Sequence, residues 1–354
     1  MQKDKGFFVE RINYYGYNNS MEKLKSVYGI GNPLIDIILS VSEKELKDLD
    51  IHKGTMQLIS LERHQELLSF IKNKELSYSC GGSCPNTIIC LAALQIPTTL
   101  AGKVGNDKEG QIYKDKIHKN LIKDELVVCN ETSGSSIILI TPDKERTMNT
   151  YLGANRSFSI EDLVTESISL ANFLHFTGYM WDTNSQMSAI KRALSIAHKS
   201  NTKVSFDIAD PFAVGRYRDT FMNLIKNDCD IVFANNEEAR ILFDNYDAYE
   251  CCKSMGKLCR TAVIKNGKRG SFISHERKIY SIDVTGPNKA TDTTGAGDIY
   301  AAGFLYGLCH DYDIPTSGKI ASYLAGEIIT QVGAQFSSEK IKIIQNYINK
   351  TFKS

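Results

Sequence analysis

"KATDTTGAGDIYAAGFLYGL", Lys289 to Leu308, sets paired threonines and a Gly-Ala-Gly turn against an apolar run of small residues. Gly295, Ala296 and Gly297 lead straight into a helical pattern. Consecutive backbone N–H groups therefore point out of the turn, and the helix dipole adds positive potential there. That is an anion site. Asp298 falls in the first helical turn, where the same dipole favours its charged form. A carboxylate beside an anion hole is suited to taking the proton of a hydroxyl as that hydroxyl attacks a phosphoryl group. An isolated Gly-Ala-Gly-Asp is more often just a tight turn with a good first-turn residue, so the reading needs support from elsewhere.

Three stretches supply it. "SCGGSCPNT" (79–87) is a second glycine-led entry into a helix at a strand end; Gly81 and Gly82 let a ligand approach the backbone, and Asn86 offers a donor and an acceptor. "GNPLID" (31–36) places Asp36 among apolar residues, where a carboxylate must be paired or bind something. Vicinal ribose hydroxyls are a natural ligand for a carboxylate plus an amide. "FANNEEA" (233–239) sets Asn235 and Glu238 three apart at a strand-to-helix junction, suited to hydrated Mg²⁺ near phosphates. Each is weak alone, and their order along one α/β chain makes them strong together.

Apolar, β-branched runs alternate with helical patterns for most of the length. "SVYGIGNPLIDIILSV" reads as one strand interrupted by Gly31 and Pro33. "SEKELKDL" carries a capping box, Ser42 and Glu45. A helix-free region comes next, with "DELVVCN" and a hairpin turning at Pro142-Asp143. "TAVIKN", "GSFISH" and "KIYSIDV" read as one parallel strand and a terminal hairpin. The expected architecture is a doubly wound, mostly parallel α/β sheet flanked by helices, with a small β-sheet lid from about 38–60 and 125–152. Residues 1–24 are expected as a peripheral extension and 25–354 as the main domain.

Composition excludes several classes. The 354 residues carry a formal charge of +1, so no electrostatic footprint for nucleic acid or an anionic membrane exists. No apolar run approaches membrane-spanning length. The nine cysteines form no C-x-x-C pair and the seven histidines no H-x-H or H-E-x-x-H cluster, which points to a reducing, cytoplasmic setting without a zinc site. Cys84, Cys90 and Cys309 read as small buried hydrophobes. No G-x-x-x-x-G-K-[ST] occurs, nor H-R-D or D-F-G, which removes P-loop and protein kinase chemistry.

With these residues in view, the chain resembles the ribokinase-like (pfkB) superfamily of small-molecule kinases from about Ser26 onward. "GGSCPNT" followed by "GKVGNDKEG" is similar to the N-terminal signature, "DTTGAGDIYAAGF" to the C-terminal one, and "NNEE" fits N-x-x-E. "GNPLID", "ITPDKERTMNTYLGAN" and "FTGYMWD" resemble adenosine kinase-like members most. The resemblance implies Asp298 as base and the Gly295–Ala296–Gly297 amides as anion hole. It implies Asp36, Asn32, Gly81, Gly82 and Asn86 at the sugar hydroxyls, Tyr179 against a purine, and Arg146 on the flap over the transferring phosphate. Asn235, Lys265, Gly267, Gly270 and Thr294 would line the ATP side, with Glu238 organising Mg²⁺ through water. Lys265 departs from the pattern, standing where threonine is common.

The implied activity is ATP-dependent transfer to the 5′-hydroxyl of a nucleoside, adenosine first, with Mg²⁺ as cofactor, ATP as co-substrate and room for a monovalent cation such as K⁺. The alternatives are a sugar kinase of the same fold and a catalytically idle nucleoside-binding protein. Both a monomer and a homodimer remain open.

Overall fold

In the computed structural model, residues 25–352 are described apart from Lys144 and Asn288, and every count below is of those residues. The extension expected over 1–24 lies outside them. The first strands are β1 (Val27–Ile30), β2 (Leu34–Ser40), β3 (Met56–Leu58), β4 (Ser77–Gly81), β5 (Thr98–Gly105), β6 (Lys123–Cys129) and β7 (Ser135–Ile140). Then come β8 (Arg146–Tyr151), β9 (Phe173–Thr177), β10 (Lys203–Asp207), β11 (Ile231–Asn235), β12 (Thr261–Lys265), β13 (Ser271–His275) and β14 (Lys278–Ile282).

Nine of them form one sheet in the order β14-β13-β12-β11-β10-β9-β1-β5-β6. From β12 to β6 every neighbouring pair is parallel. β13 and β14 close the far edge as the antiparallel hairpin read from the sequence. The central strands are buried on both faces, so they read as continuous apolar runs. Their side chains alternate between two cores. Ile231 and Phe233 of β11 pack with the helices Ser83–Ala93 and Ala296–Cys309, while Val232 and Ala234 face the helices Asn184–Ser200 and Pro211–Asn227. This period of two sends alternate residues to opposite layers. The result is the doubly wound sheet expected.

The second sheet has the order β3-β8-β7-β2-β4. Two details differ from the sequence reading. The stretch read as one interrupted strand is two strands in different sheets. Gly31 still bonds to Ala101 of β5, Pro33 lacks a donor to continue the ladder, and Ile35 bonds instead to Gly134 beside β7. The chain thus changes sheets at Asn32. Residues 125–129 also leave the expected lid, because β6 pairs with β5 at the edge of the large sheet. The small sheet instead recruits β4, antiparallel to β2. All nine cysteines are free thiols. Among the described residues, no helix is long and apolar enough to cross a membrane.

Candidate active site

A cleft of about 1310 Å³ opens where the strand ends of the large sheet meet the small one. Its floor is the start of the helix Ala296–Cys309. Gly295 caps that helix with φ 73°, and a Cβ there would lie 2.3 Å from that of Ala334, so both conformation and space demand glycine. Asp292 pins the turn. Its Oδ1 accepts from the Thr294 amide at 2.9 Å and hydroxyl at 2.6 Å, and its Oδ2 accepts from the Gly333 amide at 2.9 Å.

Asp298 is held from the second glycine-led helix. Gly82 adopts φ 103°, and any Cβ there would meet the Asn32 carbonyl at 2.2 Å. The helix that follows aims Ser83 Oγ at Asp298 Oδ1 (2.6 Å) and Asn86 Nδ2 at Oδ2 (2.9 Å). Thr87 Oγ1 bonds the Asp298 carbonyl at 3.0 Å. Burial pushes the carboxyl up to about 7, against the downward pull of the Ser83 and Asn86 hydrogen bonds. A base poised near neutrality is the one best matched to accepting a proton at physiological pH. Asn86 Oδ1 is buried with no partner among the described residues, an acceptor left over at the same spot.

Asp36 approaches from β2 of the small sheet, its carboxylate 3.0 Å from where a Cβ on Gly81 would stand. Burial pushes it to about 7 as well, with Arg146 pulling down and Asp292 pushing up. Asn32 is fixed by Gln186 Nε2 on its Oδ1 at 2.9 Å. Tyr179 sits on the 3₁₀ turn Gly178–Trp181 after β9 and keeps 37% of its surface exposed on the cleft wall. Core packing does not require that ring; Trp181, two residues on, fills the core instead at 2% exposure.

The opposite side of the cleft is built by strand ends. Asn235 caps the helix Asn236–Phe243 in a reciprocal box: its Oδ1 accepts from the Glu238 amide (2.8 Å), while Glu238 accepts from the Asn235 amide (2.7 Å) and Nδ2 (2.6 Å). Glu238 is 2% exposed, and burial pushes it to about 7 despite Lys265. Lys265, Gly267 and Gly270 line the same side, as do Thr294, Ala296 and Gly297.

Of the sequence-derived candidates, Arg146 alone does not line the cleft. Its guanidinium reaches from β8 to Asp292 Oδ2, tying the small sheet to the turn at Thr294–Gly295. Sequence reasoning missed three contributors: Ser83, Asp292 and Asp207, which pairs with Lys265. Asp207 had a signal, a charged residue closing the apolar strand "KVSFD".

Residues 55–341 match the family described as pfkB family carbohydrate kinase. An uncharacterized sugar kinase of Archaeoglobus fulgidus is 28% identical over 69% of this chain and 96% of its own. An adenosine kinase of Dictyostelium discoideum is 26% identical over 88% of this chain and 97% of its own. The crystal structure of adenosine kinase from Sinorhizobium meliloti superposes with a TM-score of 0.82 at 30% identity, covering 93% of this chain and 99% of that one. The chain belongs to the pfkB carbohydrate kinase family and is an ATP-dependent kinase acting on a hydroxyl group.

Proposed function

We propose that the protein phosphorylates the 5′-hydroxyl of a nucleoside, adenosine foremost, giving the nucleoside monophosphate and ADP. The observation that carries this is Tyr179. An aromatic ring left partly exposed on the cleft wall can stack on a base, whose flat π face gains more from it than the small C–H patch of a free furanose. Asp36 and the Gly81–Gly82 backbone would receive the ribose hydroxyls, Asn32 and Asn86 adding polar atoms. The 5′-hydroxyl then points at Asp298, which takes its proton as the oxygen attacks the γ-phosphorus in line. The Gly295–Gly297 amides receive charge on the phosphoryl oxygens. The adenosine kinases among the relatives agree with this reading, and the sugar kinase keeps the sugar alternative in play.

No three His, Cys, Asp or Glu side chains converge to hold a metal among the described residues. The oxygen-rich edge at Asn235 and Glu238 fits Mg²⁺ that retains waters and is held mainly by phosphates. When bound, Mg²⁺ would neutralise phosphate charge. Asn235 and Glu238 brace one another, so that edge is rigid before any ligand arrives. A phosphorylation screen with Mg-ATP against adenosine, inosine, guanosine, ribose and fructose tests the proposal. Adenosine should have the highest kcat/KM, and a preference for ribose or fructose would replace the nucleoside reading with the sugar one.

A further inference from the structure

Lys265 closes β12 and Asp207 closes β10, with β11 between them, so both side chains stand on the strand-end edge that borders the cleft. Lys265 Nζ donates to both Asp207 oxygens, at 2.8 and 3.1 Å. The aspartate side chain is 3% exposed and the lysine 15%. The same ammonium faces the anion turn: a Cβ built on Gly297 would lie 3.0 Å from Nζ. Burial drags the lysine down, yet Asp207, Glu238 and Asp298 together hold it above its ordinary value, so it stays charged.

Stability does not explain this pair. Enclosed ion pairs can often be replaced by apolar residues of similar volume at no loss, because desolvation offsets their attraction. Position does explain it. One cation stands amid three carboxylates at the open corner beside glycine amides, where a phosphoryl group would bring in further negative charge.

We infer that Lys265 is a catalytic residue whose ammonium contacts the transferring phosphoryl group beside the Gly297 amide, with Asp207 holding it there between turnovers. The inference rests on reading Gly295–Gly297 as the phosphoryl anion hole, and it is independent of which acceptor is used. In the step, the acceptor oxygen–phosphorus bond forms as the bond from phosphorus to the ADP oxygen breaks. The hydroxyl proton passes to Asp298. Lys265 keeps its protons throughout and supplies charge and N–H donors alone. Asp207 is a positioning residue, since it acts only through the lysine.

The test compares binding of ADP with binding of a non-hydrolysable ATP analogue, both with Mg²⁺, by calorimetry. This needs no acceptor, so its outcome is separate from that of the acceptor screen. The informative variant is the double replacement Lys265→Met with Asp207→Asn, which removes the ammonium together with the carboxylate bonded to it and conserves the net charge of the site. It should weaken the analogue about 10- to 100-fold, as expected for a charge-assisted hydrogen bond, while ADP binding is little changed. Asp207→Asn alone, which releases the ammonium, should bind the analogue at least as tightly as wild type. Lys265→Arg should recover part of the loss. Equal weakening of ADP and analogue, or of neither, would make the pair a structural strut and overturn the inference. So would an Asp207→Asn variant as weak as the double.

Discussion

Asp298 and Asp36 are both partly buried aspartates whose carboxyls burial lifts to about 7, yet their surroundings are opposite. Asp298 sits at a helix start on the large sheet's side, with one donor on each oxygen from Ser83 and Asn86. Asp36 sits in a strand of the small sheet and has no hydrogen-bond donor among the described residues. The same shift therefore has two meanings. Fixed donors give Asp298 one orientation, which suits the directional proton transfer proposed for it. Unused lone pairs leave Asp36 costly to keep desolvated until a ligand supplies hydroxyl donors. On the proposed function, one carboxylate is preorganised for chemistry and the other for recognition.

Replacing each should break the comparison in a different parameter. Asp298→Asn keeps the shape and loses the base, so kcat should fall about 10²- to 10⁴-fold with acceptor binding still measurable by calorimetry. Asp36→Ala should act on binding instead. Losing charge-assisted hydrogen bonds, each worth about 1.5–3 kcal/mol, should weaken the acceptor by at least about tenfold while the KM for ATP stays put. A 2′,3′-dideoxy acceptor should bind wild type and that variant alike. An effect of Asp36→Ala on ATP alone would move Asp36 to the other subsite.

The smallest expected effect sharpens the recognition half. Tyr179→Ala should weaken adenosine roughly 5- to 150-fold, the range for stacking of about 1–3 kcal/mol per base. Tyr179→Phe should retain most of the affinity, because the ring face does the stacking. Dissociation constants for adenosine and ribose, taken with a melting curve, separate this from a packing defect. Uniform loss for both acceptors with a lowered Tm would assign Tyr179 to packing.

The large sheet was legible because its strands announce themselves by composition, and the helix starts because Gly82 and Gly295 sit where their neighbours leave no room for a side chain. The Ser42–Glu45 and Asn235–Glu238 capping boxes were likewise local patterns that the structure contains. The small sheet was harder. Whether β2 continues β1 depends on where the ladder partner lies, and Ala101 and Gly134 are distant in sequence. β6 misled for the same reason: a short, half-exposed strand, KDELVVC, carries no mark of which sheet it joins. In the site, single residues at glycine turns could be read directly. Cross-strand pairs such as Lys265–Asp207 and Arg146–Asp292 could not, because the pairing is made by strand order rather than by spacing.

The central claim, that Asp298 is the base at the anion turn, is tested most directly by the pH dependence of the single-turnover rate at saturating acceptor and Mg-ATP. Saturation removes the binding role of Asp36 from the profile. A base works only when ionised, and burial sets the Asp298 carboxyl at about 7. The wild-type rate should rise about tenfold per pH unit and level off once the Asp298 carboxylate of the bound complex is ionised, with Asp298→Asn slow and flat throughout. A wild-type rate independent of pH across neutrality, together with Asp298→Asn turnover within a few-fold of wild type, would contradict the assignment.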